Sequence, residues 1–191
     1  SESFLIIEPL ISDKGDGDIM LQRLLRRERF KTHSDFLYEF FNNPQHEWIV
    51  ADRYIKANFE EFFTSVPLKT LRKLYGQNDI WFIPSSGRYS CAIEPIGCSV
   101  IMVFPEFIQM LRSFSSSGAK AILSHELGHI YYGHSHRNID ILDAQVQADS
   151  FAVDLGFVDE IESFLQSLPE GVEKRVRLSY VTSKHFSDNE S

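Results

Sequence analysis

Cysteine is scarce in this chain: of 191 residues only Cys91 and Cys98 carry thiols. Two are too few for the disulfide framework of a small secreted scaffold, so a reducing, cytoplasmic setting is the simpler expectation. The Ala-Ile-Glu-Pro-Ile-Gly between them reads as a hairpin connection that would bring the thiols together, which leaves a single disulfide open. Neither thiol lies in a nucleophile motif. Long apolar runs are missing too. The longest, Ser99 to Phe104, is strand-sized, far short of the ~20 residues of a membrane-spanning helix. No leader-like segment opens the chain, and its start at Ser1 suggests processing or trimming. Positive charge is short as well: 19 Lys and Arg against 27 Asp and Glu leave a formal net charge of −8. That balance excludes the basic stripe of a nucleic-acid binder. One basic cluster, Arg23, Arg26, Arg27, Arg29 and Lys31, is interleaved with Leu21, Leu24, Leu25 and Phe30. It reads as the solvated face of an amphipathic helix, with a docking surface for an acidic partner as the alternative.

What the chain does have is length for one sizeable core, with helix and strand patterns in separate blocks. A short apolar run at Phe4 to Ile7 precedes a turn-rich loop, Ser12 to Asp18, that lacks the spaced oxygen donors of a calcium loop. Helical periodicity covers Ile19 to Phe41, Glu47 to Thr64 and Leu68 to Tyr75. The aromatic side chains of the first two segments, Phe36, Phe40, Phe41, Trp48, Phe59, Phe62 and Phe63, form a stripe that is more often core than ligand box. They also leave open an inhibitory lid. Ile80 to Ile83, Tyr89 to Ile93 and Ser99 to Phe104, separated by turn residues, predict a small meander. Helices are then expected at Pro105 to Phe114, Ala119 to Tyr132, Ile139 to Phe157, Val158 to Leu168 and Val172 to Lys184.

The chemistry concentrates at Ser124-His125-Glu126-Leu127-Gly128-His129-Ile130. Four residues advance a helix by slightly more than one turn, so His125 and His129 share a face and can share one zinc ion. Glu126, one position along, reaches a water on that ion rather than the ion itself, which is where a general base is needed. His-Glu-x-x-His on a helix is the arrangement of zinc peptidases. The bland alternative is a pair of core histidines bonded to backbone. The apolar stripe of Ile122, Leu123, Leu127 and Ile130 supports a buried helix. A catalytic zinc takes a third protein donor. Downstream, Gln145 and Asp149 are four apart in the next helical run and so share a face.

The blocks HELGHIYYGHSH and QVQADSFAVDLGF together resemble the two signature helices of gluzincin metallopeptidases. The likeness is greatest to the CAAX prenyl protease and HtpX family and to its soluble minigluzincin and ImmA-like relatives. Those proteins pair a HELGH helix, often with a further His five residues on as at His134, with a helix reading Glu-x-x-Ala-Asp-x-Phe-Ala. The resemblance spans roughly residues 66 to 180 and is strongest in those two blocks. Ala148, Asp149, Phe151 and Ala152 fall in register, which places Gln145 where the family has its ligand glutamate. Glutamine offers only a neutral carbonyl oxygen, so such a site would hold zinc less tightly. Asp149 is the favoured anionic donor, with a role in fixing a histidine tautomer as the alternative.

The resemblance implies an α+β, mainly helical, zincin-like fold. A small, mostly antiparallel sheet would be followed by the active-site helix and the ligand-bearing helix. One domain is expected over 1–191, with an N-terminal helical extension, 1–65, packed on a metallopeptidase core, 66–186. His134 is a candidate for lining the cleft. Tyr131, Tyr132 and His136 carry less weight as oxyanion donors. Arg175 and Arg177 are candidates from the family's habit of placing an arginine on a later helix, with at least one of them expected on a solvated face. The implied function is zinc-dependent hydrolysis of peptide bonds in a protein or peptide substrate, without a nucleic-acid partner. An inactive scaffold that binds or regulates is the alternative, and cleavage of one specific repressor a third possibility.

Overall fold

The computed structural model describes residues 6–7, 30–76, 78–85, 98–113 and 116–189, with 6–7 and 187–189 described by backbone alone. The chain divides into two compact units, Ser1–Ser113 and Phe114–Ser191.

In the first unit, β1 (Ile6–Ile7) is followed by α1 (His33–Phe41). Thr32 caps α1 reciprocally: its hydroxyl accepts from the Asp35 amide at 3.1 Å, and the Asp35 carboxylate accepts from the Thr32 amide at 2.8 Å. A 3₁₀ turn, Pro44–His46, leads to α2 (Glu47–Ala51) and α3 (Arg53–Ser65). One helix was expected from Glu47 to Thr64. Asp52 divides it, with an extended backbone (φ −112°, ψ 112°) and a carboxylate that accepts from the amides of Tyr54 and Ile55. Ile55, Phe59, Phe62 and Phe63 recur at helical spacing and bury one face of α3. After α4 (Leu68–Leu74) come β2 (Asp79–Pro84), β3 (Cys98–Val103) and α5 (Pro105–Arg112).

The aromatic residues of α1 and α3 pack on one another and on Phe82 of β2. Ring centroids lie 4.7 Å apart for Phe40 and Phe63, and 5.2 Å for Phe59 and Phe82. His46 and Trp48 tie these helices to the strand. The His46 Nδ1–H donates to the Phe40 carbonyl at 2.8 Å, its Nε2 accepts from the Phe82 amide at 3.2 Å, and Trp48 Nε1–H donates to the Phe82 carbonyl at 2.8 Å.

The sheet has the order β1-β3-β2. β2 and β3 pair in parallel, with Ile80 opposite Ser99 and Phe82 opposite Ile101. Among the described residues only the two-residue β1 runs antiparallel, with Ile6 opposite Ile101. The expectation of a mostly antiparallel meander is therefore corrected: the long pairing is parallel. The connection 85–97 meets the dozen or so residues that a parallel crossover needs. Every residue of β3 is buried, as befits a strand flanked on both sides. Cys98 at its start is a free thiol that burial pushes up to about 11, which suits a packing role and not a nucleophile. The expected strand Tyr89–Ile93 with Cys91, the loop Ser12–Asp18 and the arginines of the basic cluster lie outside the described residues.

The described residues of the second unit form α6 (Ser117–Tyr132), a 3₁₀ turn (His134–His136), α7 (Ile141–Asp154), α8 (Val158–Ser167) and α9 (Val172–Asn189). Its core joins Ala121 of α6, Ala152 and Val153 of α7, Ile161 and Leu165 of α8, and Val181 of α9. Gly128 sets the approach of α6 to α7. A Cβ there would sit 3.0 Å from both the Cα and the carbonyl oxygen of Ala148. Gly133 ends α6 with φ 65°, the left-handed conformation that glycine adopts without a Cβ penalty. Among the described residues no helix is long and apolar enough to cross a membrane.

Candidate metal centre

Every group in the candidate centre belongs to the second unit. His125 and His129 lie one turn apart on α6, and the packing of α6 against α7 at Gly128 brings Asp149 beneath them. The two Nε2 atoms converge to 3.2 Å. Each ring's other nitrogen is engaged. His125 Nδ1 lies 2.8 Å from Asp149 Oδ1, and His129 Nδ1 lies 2.8 Å from His134 Nδ1. A carboxylate only accepts, so His125 carries its proton on Nδ1 and presents a lone pair at Nε2.

Asp149 is fully buried and held from the other side by Arg177, itself 4% exposed. The Arg177 Nε–H donates to Oδ2 at 2.7 Å and its terminal NH2 group to Oδ1 at 2.9 Å. Burial alone would raise the Asp149 carboxyl. The hydrogen bonds and charges of His125 and Arg177 outweigh it and hold the group below its usual value, ionised. Arg177 also donates to Glu173, one turn earlier on α9, at 3.0 Å. Burial, with the neighbouring His125 and His134 rings, takes His129 from 6.5 down to about 3, so the imidazole is neutral as a metal ligand requires.

His134 is buried in the 3₁₀ turn His134–His136 just after α6. Its Nε2 lies 3.1 Å from Gln147 Oε1, and its ring stacks on Tyr132 at 5.7 Å and 14°. The site thus brings together His125, His129, His134 and Asp149 of the expected residues, and adds Gln147, for which the sequence held no signal. Glu126 is half-buried one position after His125. Gln145 is half-buried one turn before Asp149 on the same side of α7. Tyr131 is half-buried, packed on Phe151 at 4.9 Å, and His136 is exposed. Of the two arginines, Arg175 is exposed and Arg177 buried, as the expectation of at least one solvated arginine allowed.

The donor set fits one metal ion. An ion ~2.0 Å from each of two nitrogens 3.2 Å apart would subtend about 105°, close to tetrahedral. Two imidazole lone pairs facing each other at that distance repel unless a cation or a proton lies between them. Among the described residues no group of three or more His, Cys, Asp or Glu side chains is arranged to hold a metal ion. Gln145, one turn before Asp149 on α7, carries a neutral carbonyl oxygen of the kind that can complete such a donor set.

Compared with known families, residues 97–180 match the model of peptidase family M48. That stretch runs from β3 into α9. No curated protein and no solved structure matches the chain.

Proposed function

With residues 97–180 forming a domain of peptidase family M48, we propose that this protein is a zinc-dependent peptidase in which Glu126 is the general base. The observation that supports this reading is the aim of two imidazoles, one buried and one half-buried: Nε2 atoms 3.2 Å apart, with each Nδ1 held on its far side. His125 and His129 are the nitrogen ligands. Gln145 gives the third, neutral oxygen. Asp149, whose two oxygens already serve His125 and Arg177, is a positioning residue and not the anionic ligand favoured from sequence. Zinc bound there supplies Lewis-acid polarisation of a peptide carbonyl and acidifies water.

The chain's own residues do the rest. Glu126 takes the proton from the attacking water and returns it to the amine nitrogen as the peptide bond breaks. Asp149 keeps His125 in the tautomer whose Nε2 is free, and Arg177 keeps Asp149 ionised. A neutral third donor leaves more positive charge on the metal than a carboxylate would, and lowers its affinity.

Glu126→Gln tests the mechanism: zinc stoichiometry stays at wild type while peptide turnover falls by at least ~100-fold, the scale of a lost general base. Peptidase activity persisting in that variant would remove Glu126 from the role. The neutral donor at Gln145 is also what favours the alternative of a binding scaffold without chemistry. Wild-type protein that stays zinc-free after incubation with the metal and dialysis would decide for the scaffold.

A further inference from the structure

We propose that His134, itself aligned by Gln147, is the positioning residue for His129, setting the tautomer that frees the His129 Nε2. This rests on the zinc-site reading for its purpose, but its proton arrangement stands on the ring-to-ring distances and on the Gln147 oxygen facing His134. Start from Gln147: its Oε1 faces His134 Nε2 at 3.1 Å and only accepts, so His134 carries a proton on Nε2. In the neutral imidazole the other nitrogen, Nδ1, is then a lone pair. That lone pair meets His129 Nδ1 at 2.8 Å, so the His129 proton sits on Nδ1 and donates to His134. The His129 Nε2 is left bare, pointing at the bare Nε2 of His125 3.2 Å away.

The two metal-facing histidines are thus held by different devices. Behind His125 stands a charged one, Asp149 with Arg177. Behind His129 stands a neutral relay of imidazole and amide. The polarity of that relay is not intrinsic to histidine. A Gln147 amide turned to donate its NH2 would put the protons on His134 Nδ1 and His129 Nε2. His129 would then donate to His125 across the 3.2 Å gap and close the site to any cation. Gln147 therefore chooses between a site ready for metal and one sealed by its own hydrogen bonds. Stacking of Tyr132 on His134 keeps the relay ring in plane. This assigns the buried His134 to the far side of His129, away from the metal face, in place of the cleft-lining role read from sequence.

Two measurements test it. The first needs no metal: long-range ¹⁵N–¹H correlation of the histidine rings in zinc-free wild-type protein at neutral pH. The proposal requires His129 to bear its proton on Nδ1 and His134 on Nε2; the reversed pair of tautomers overturns it. The second is zinc affinity by chelator competition. His134→Phe, which keeps the stacking ring and removes the acceptor, weakens zinc by ~10- to 100-fold, the usual effect of losing a group that orients a ligand. Gln147→Leu weakens it in the same direction, and Gln147→Glu, still an acceptor, restores wild-type affinity. Unchanged affinity in both His134→Phe and Gln147→Leu overturns the relay while leaving the zinc site intact. A wild-type protein that takes up no zinc counts against the zinc reading, and the tautomer measurement then decides the relay by itself.

Discussion

Asp149 has two carboxylate oxygens and three hydrogen-bond donors: His125 Nδ1 and two nitrogens of Arg177. On the proposed reading, a carboxylate engaged in this way would act on the metal through the imidazole it orients. Asp149→Ala is therefore expected to weaken zinc by ~10- to 100-fold rather than abolish binding. The same change strands the buried Arg177 charge and destabilises the fold by about 3–5 kcal/mol, read from urea unfolding. Gln145→Glu should tighten zinc at least several-fold by adding an anionic donor. If Gln145→Glu and Gln145→Ala both left affinity untouched, Gln145 would not be a ligand. The convergence of the His pair was legible because the geometry that joins them is local to one helix turn. The partners of Asp149 were not, because a ligand and a tautomer-fixing carboxylate satisfy the same spacing to Gln145. The contact that favours the second is with Arg177, 28 residues further on. Gln147 left no trace in the sequence for the same reason: its partner His134 lies 13 residues away across a turn.

Helices were the legible elements, since apolar side chains recurring at 3.6 residues announce a buried face whatever the rest of the chain does. α6, α7 and α8 fall within a few residues of expectation, and the miss at Asp52 came from a cap residue hidden inside a continuous apolar pattern. Strand direction is different. β2 shows an alternating burial pattern and β3 a fully buried one, but neither pattern says which way the chain returns, so the parallel pairing was invisible. The close approach of α6 to α7 is the element-level feature on which the centre depends. A Cβ at Gly128 meets backbone atoms of Ala148 at 3.0 Å, and backbone yields less than a side chain tip. Gly128→Ala gains up to ~1 kcal/mol of helix propensity. Against that, overpacking costs ~1–3 kcal/mol. We expect net destabilisation in urea unfolding, accompanied by weaker zinc binding as Asp149 is pushed from beneath His125. A Gly128→Ala protein with wild-type midpoint and wild-type zinc affinity would show that α7 accommodates the methyl group freely.

Taken whole, the described residues place buried acid-sensitive groups in each compact unit: His46 in the first, and His129 with Asp149 in the second. In the first unit His46 is 1% exposed and locked neutral between the Phe40 carbonyl and the Phe82 amide, and burial takes it from 6.5 down to about 4. Its folded value lies below its unfolded value, so on acidification the unfolded chain takes up the proton first. The stability it contributes is complete above about pH 6.5 and is lost as pH falls from there through 4, about 3 kcal/mol in all. In the second unit His129, taken from 6.5 down to about 3, loses its contribution as pH falls through that range, and Asp149, lowered from 3.8 by His125 and Arg177, loses its own at more acid pH. Both tryptophans, Trp48 and Trp81, belong to the first unit, so their fluorescence reports that unit alone. In zinc-free protein, the urea midpoint followed by tryptophan emission should fall steeply between pH 6.5 and 4. Far-UV ellipticity, which sums the helices of both units, should show the second unit weakening from about pH 6.5 as well, and its midpoint continuing to fall below pH 4. His46→Gln keeps a hydrogen-bonding side chain without a titration in this range, and it is expected to flatten the fluorescence-detected slope. An undiminished slope in His46→Gln would place the acid sensitivity of the first unit elsewhere.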